Sequence, residues 1–233
     1  MSTTEAPSKW EQALPLSGVA FTALMVLGAV AFPMPPGGDV SPASKPAWLA
    51  AHSGAVIAQS YIRGFAALAF VVLAVAVAGV CRRGVDSRSP LPTVALVGGL
   101  VCGVLVLLAQ AMTLAAALLV RGGGGADSVR ALGVVQDAFL DLSALPAVLL
   151  FASFGIAALR ISVLPRWLAV LSLVGVPLAL VDAASYDGGP LEGVAFVGLV
   201  YFLAWALVTG AQLSFAHPRA DSPVVRRQAV AAP

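Results

Sequence analysis

Long apolar runs broken by short polar turns set the rhythm of this chain. Six of them have the length, roughly 20 residues, that a helix needs to cross the hydrocarbon core of a bilayer. They cover residues 13–32, 56–80, 91–120, 131–159, 166–186 and 191–215. The fold class they predict is all-α, a polytopic membrane bundle of six transmembrane helices over residues 13–215. A short tail (1–12) precedes it, and a disordered tail (216–233) without apolar periodicity follows. Several runs are longer than a crossing requires, so tilt or helical extension beyond the bilayer is expected. The stretch from Pro33 to Pro46 is too rich in proline to be helical. Shorter turns are expected at "CRRGVDSRSP", "RGGGGADSVR" and "RISVLPR". A short helix over residues 46–55, carrying Trp48, is expected to lie on the outer surface ahead of the second span.

Arginine and lysine orient the runs. With the N-terminus inside, the cytoplasmic segments hold Lys9, Arg82, Arg83, Arg88, Arg160, Arg166, Arg219, Arg226 and Arg227. The outer segments then hold only Lys45, Arg63, Arg121 and Arg130. This asymmetry obeys the positive-inside rule and predicts both termini in the cytoplasm of a bacterial cell. Ala29-Val30-Ala31 offers a signal-peptidase-like pattern, but the apolar core before it exceeds the usual 7 to 15 residues or so, and proline follows. The first run is expected to stay as an anchor.

Composition agrees. Hydrophobic residues make up 60% of the 233 and charged residues 10%, and the mean hydropathy is +0.96, whereas soluble domains carry about 25% charged residues. A net charge of +2 is too small for nucleic-acid binding, which needs a clustered basic face. The partner implied is the lipid bilayer, with a hydrophobic or lipid-like ligand in reserve; oligomeric state is left open. Cys81 and Cys102 lie at different depths and read as free thiols, Cys81 the more accessible beside Arg82 and Arg83. His52 and His217 are far from both, so no metal site is expected. The glycine run Gly122 to Gly125 lacks the Lys-Ser/Thr and the preceding strand of a phosphate loop; it reads as a turn, and no cofactor is implied. Gly99 and Gly103 form a GxxxG pair that lets membrane helices approach closely.

The polar residues inside the runs carry the functional question. Asp137 and Asp141 sit one helical turn apart in the fourth run, and Asp182 near the outer end of the fifth. Gln110 lies in the outer half of the third run, Gln59 and Arg63 begin the second with His52 above them, and Tyr186 flanks the same level. The inner halves hold no ionisable residue away from their boundaries. A transporter or channel needs polar groups at the midplane and a route to both faces, so that class fits poorly. A polar layer or pocket in the outer leaflet half fits better. Arg63 is the natural cation for Asp137 or Asp141 across the second and fourth spans. Pro146 and Pro177 interrupt the fourth and fifth, either as packing features or as kinks that open the outer half.

At "VLPRWLAVLSLVGVPLALVD" (163–182) and "FVGLVYFLAWALVTG" (196–210) the chain resembles a bacterial family of small six-helix membrane proteins described only as a domain of unknown function. Pro165, Arg166, Trp167 and Leu168 stand at the start of the fifth span, and Trp205 and Gly210 in the last, where that family has them. The resemblance is strongest over the last third and implies fold, not activity. Many members carry a glutamate beside the tryptophan of the last helix; Tyr201 to Leu207 contains none. Two readings follow. One is a non-enzymatic membrane protein that senses or binds a partner or ligand through its outer polar layer. The other is a small membrane-embedded enzyme acting on a lipid or isoprenoid, with Asp137 or Asp141 as general acid.

Overall fold

The computed structural model describes residues 13–33, 44–161, 164–185 and 192–215. They form six helices joined in an all-α bundle: α1 (Ser17–Val30), α2 (Ser44–Gly84), α3 (Leu91–Arg121), α4 (Ala126–Arg160), α5 (Arg166–Ala184) and α6 (Glu192–Phe215). Five of these are long and apolar enough to cross a membrane, which makes the architecture that of a multi-pass integral membrane protein. Each helix packs on its neighbours in the chain and α1 also on α6, so the six close into a ring, with α2 meeting α4 across it. We call the end carrying the α2–α3 and α4–α5 connections proximal, and the end carrying the α3–α4 turn distal.

Helix lengths differ more than the apolar runs suggest. The stretch at residues 46–55 is no separate surface helix: α2 is one continuous helix of 41 residues, about 60 Å long at 1.5 Å per residue. Lys-Pro at its start can open a helix because the first turn needs no proline N–H, and nothing from Ala47 onward breaks the repeat. By contrast α1 has 14 residues after a 3-10 turn at Leu14–Leu16 begun by Pro15. The two together reach about 27 Å, just short of a hydrocarbon core of about 30 Å. The glycine run is a turn, as its composition implies. Gly123 takes φ +78, its N–H bonds to Val120 O at 3.1 Å, and Gly124 N–H reaches back to Leu119 O at 2.9 Å. These two bonds satisfy the last carbonyls of α3 in a Schellman motif, whose left-handed residue glycine adopts without penalty.

Glycine sets the tightest crossings. A Cβ on Gly98 would stand 2.7 Å from Pro146 O and 2.8 Å from Leu150 N, so the backbones of α3 and α4 touch there. Gly99 and Gly103 face Ala74 and Val71 of α2; the GxxxG pair therefore packs within the bundle. Gly18 and Gly210 bring α1 onto α6, where a Cβ on Gly210 would lie 2.6 Å from Pro15 O. α4 and α5 run unbroken through Pro146 and Pro177, and the Pro146 carbonyl against Gly98 gives that proline a packing role.

An aromatic cluster fills the middle. Phe21, Phe70, Phe151, Phe202 and Trp205 meet with ring centroids 4.8–6.3 Å apart, the closest pair being Phe151 and Trp205 at 4.8 Å and 90°. Such edge-to-face pairs add to the area they bury. Trp205 is fully buried and donates its indole N–H to Ser172 Oγ at 2.9 Å, while Ser172 donates to Leu168 O at 2.9 Å. The proximal half below is closed by Leu73, Val77, Cys81, Ala157, Leu168 and Leu213. Cys81 does not face the proximal surface beside its exposed neighbours Arg82 and Arg83: it turns into this core and, like Cys102, is a buried free thiol. Trp167, at the proximal start of α5, is about half exposed.

Candidate functional site

The polar side chains singled out in the apolar runs separate into three places. The first is the end of α1. Its last carbonyls have no intrahelical partner, and hydrocarbon supplies none. Gln59 of α2 donates its amide N–H to Gly28 O at 2.7 Å. One turn on, Arg63 lies over the same glycine: a Cβ built there would be 3.1 Å from Arg63 Cγ and 3.4 Å from Nε. A cation at a helix C-terminus is also favoured by the helix dipole. The expected pairing of Arg63 with Asp137 or Asp141 is therefore not formed. Arg63 faces α1 rather than α4, and its Nε is buried without a hydrogen-bond partner. Depth had placed the three residues level, but level residues meet only if their helix faces do.

The second place lies between α3, α4 and α5. Asp141, half-buried on α4, and Asp182, half-buried on α5, are within electrostatic reach of each other. The Cys102 thiol of α3 is within electrostatic reach of Asp182 and close to Ser143 of α4, whose hydroxyl donates to Leu140 O at 2.6 Å. Gly198 of α6 leaves room beside Asp182, where a Cβ would sit 3.6 Å from Oδ1. Ser185 closes the end of α5 by donating to Asp182 O at 2.7 Å. Asp137, one turn beyond Asp141, is exposed. Sequence spacing put Asp137 and Asp141 one turn apart on α4, and the fold adds Asp182 of α5 within electrostatic reach of Asp141. Higher on the same flank, Thr113 of α3 donates to Gln136 Oε1 of α4 at 2.9 Å. Neither partner was singled out in the sequence, although Thr and Gln in apolar runs are the usual signal of an interhelical bond.

The third is a groove of about 230 Å³ between α2 and α3, lined by Ser60, Tyr61, Gly64, Phe65, Leu68, Leu107, Gln110, Ala111 and Leu114. It exists because Gly64 presents no side chain: a Cβ there would meet only Leu107 Cδ1, at 3.6 Å. Gln110 is 6% exposed and borders this groove. Sequence reasoning found Gln110 by its polarity, but it could not find Gly64, whose contribution is an absence of atoms.

The remaining candidates lie elsewhere. His52 stacks on Trp48 at 4.7 Å and 21° with its Nδ1 2.9 Å from Trp48 O, about 10 Å above Gln59 along α2. Tyr186 falls outside the described residues. Among the described residues no cluster of His, Cys, Asp and Glu has the makings of a metal site. Compared with known protein families, curated proteins and solved structures, the chain matches none.

Proposed function

We propose that this chain is a non-catalytic multi-pass protein of a cell membrane, with both termini cytoplasmic, that binds a hydrophobic or lipid-like ligand in its outer half and serves as a sensor or partner subunit. The observation that carries this reading is the division of the interior. Below the aromatic cluster the bundle is filled by apolar side chains, with Ser153, Ser172 and Thr209 as its buried polar groups. Above it, Asp141 and Ser143 of α4, Asp182 of α5 and Cys102 of α3 lie near one another, and Gln110 stands about 12 Å further along α3. Polar groups gathered in one half of the bundle, with no continuation into the other, suit binding from one side and do not suit passage. The orientation rests on the arginine and lysine asymmetry, and the likeness at Pro165 to Leu168 supports the six-span scheme.

One observation favours a second reading. Asp141 of α4 and Asp182 of α5 lie within electrostatic reach of each other, and two neighbouring carboxyls in an apolar surrounding are an arrangement used for acid–base chemistry. An enzyme acting on a lipid or isoprenoid would draw its general acid from this pair rather than from the exposed Asp137. One experiment separates the readings. The protein is purified from its own membrane, its co-purifying amphiphiles are identified by mass spectrometry, and the same is done for Asp141→Asn and Asp182→Asn. An unaltered amphiphile retained by the wild type and lost in the variants supports binding. Aspartate-dependent conversion of a supplied prenyl epoxide or alkene supports the enzyme. If the variants match the wild type in both respects, the aspartates only hold the bundle together and the binding reading falls.

A further inference from the structure

We infer that Arg63 seats the head of a monoanionic amphiphile, a carboxylate or a phosphodiester, where α1 ends against α2. This names the head of the ligand already proposed and rests on that reading, but it uses neither the aspartates nor the α2–α3 groove. The place of Arg63 in its helix is the first ground. Gln59, Ala66, Phe70 and Leu73 follow the three-and-four spacing of one helix face, and all four are buried. Arg63 stands in the middle of that face, half-buried and about 10 Å above Phe70 of the aromatic cluster. An arginine that merely reaches for head groups trails its stem through lipid. Here the stem is pinned, with Cγ and Nε 3.1 and 3.4 Å from the Cβ that Gly28 lacks.

Charge is the second ground. Nε is buried without a hydrogen-bond partner, and among the described residues no carboxylate pairs with Arg63. A cation withdrawn from water and left unpaired is costly. The C-terminus of α1 carries the equivalent of roughly half a negative charge, which offsets part of that cation and leaves the rest. An anion of one charge balances what remains. Carboxylates and phosphodiesters carry that charge, and both present the paired oxygens that a guanidinium fork matches. A phosphomonoester, at about −1.5 to −2, would bring surplus negative charge beside the α1 dipole.

Depth is the third. α1 and its 3-10 turn nearly match a hydrocarbon core of about 30 Å, so the last turn of α1, with Arg63 beside it, comes to the boundary where the heads of a leaflet lie. Leu27 and Val30 of that turn are 49% and 80% exposed. The end of α1 therefore borders lipid, and a tail can lie along it while the head is held.

The test is native mass spectrometry of the full chain in detergent, mixed in turn with phosphatidylglycerol, with palmitate and with a diacylglycerol. The wild type should keep one equivalent of either anion and shed the neutral diacylglycerol. Arg63→Gln should weaken that retention about tenfold or more, the worth of one charge-assisted hydrogen bond. Arg63→Lys keeps the charge and should recover part of it, which guards against misfolding as the cause. No retention by the wild type, equal retention of the diacylglycerol, or an Arg63→Gln variant that binds as the wild type does would overturn the inference. Several equivalents without a fixed number would mean snorkelling into annular head groups and overturn it too. Displacement by excess inorganic phosphate would make this a free-anion site and overturn the choice of occupant. If the wild type keeps the diacylglycerol and only the aspartate variants lose it, the Arg63 seat falls and the ligand-binding reading stands. If co-purification ignores the aspartates while retention still follows Arg63, the seat stands without them.

Discussion

Gln59 and Arg63 stand one turn apart on α2 and both meet the end of α1, Gln59 by a hydrogen bond to Gly28 O and Arg63 by packing over the same glycine. Gln59→Leu removes the bond to Gly28 O and strands that carbonyl. Because interhelical bonds in membrane bundles average somewhat under 1 kcal/mol and reach about 2, we expect a loss of about 1 kcal/mol in detergent unfolding. A neutral result would show that lipid or water caps α1 instead. Arg63→Ala and Asp141→Ala should be additive in a double-mutant cycle, since Arg63 lies against α1 and residues without shared partners couple weakly. Coupling above roughly 0.5 kcal/mol would restore an ion pair between α2 and α4. The sequence correctly put Gln59 and Arg63 on one helix face, because a spacing of four does that on any helix. It could not say which neighbour that face meets. Asp141 and Asp182, 41 positions apart in the numbering, come within electrostatic reach through the packing of α4 on α5.

The glycines of the bundle divide into those that another backbone touches and those that face open space, and substitution should follow that division. Gly98→Ala drives a Cβ against Pro146 O and Leu150 N. Backbone cannot rotate away as a side chain can, so α3 and α4 must part, at a cost of about 1 to 3 kcal/mol. Gly133 of α4 has nothing within 4 Å of its would-be Cβ, and Gly133→Ala should stabilise by about 0.5 to 1 kcal/mol through helix propensity. Thermal unfolding of the two variants in one detergent checks both, and the same sign for both would refute the packing. The six helices were legible as apolar runs because length and hydropathy are properties of the chain. Their ends were less so: residues 46–55 read as a separate element only because hydropathy falls there, while the hydrogen-bonded repeat of α2 runs straight through. The packing of Gly99 and Gly103 inside the bundle depended on partners that a sequence does not display.

The first turn of α1 lies beside Gly210 near the end of α6, so the described chain starts and finishes at the proximal end. Tags on the two termini should accordingly share one side of the membrane, and in spheroplasts both should resist added protease if that side is the cytoplasm. Opposite responses would mean that α1 does not cross. The polar residues inside the runs were legible one by one, but their partition among α1, the α4–α5 pair and the α2–α3 groove belongs to the assembled ring alone. The ring has a further property. α2, α3 and α4, with 41, 31 and 35 residues, stand together on one flank, and α1, α5 and α6, with 14, 19 and 24, on the other. Apolar side chains such as Leu118 and Val134 remain exposed near the distal end of the tall flank, at 52% and 65%. Lipid on that side meets an oily wall of about 45 Å, the length of α3, and on the other one of about 30 Å, the length of α5. A flat bilayer of uniform thickness cannot match both, and misfit costs fractions of a kcal/mol per Å. The molecule therefore acts as a step cut into the membrane. It should lean so as to shorten its tall side, gather thick lipid on one flank and thin lipid on the other, and settle where thick and thin domains of a mixed bilayer adjoin.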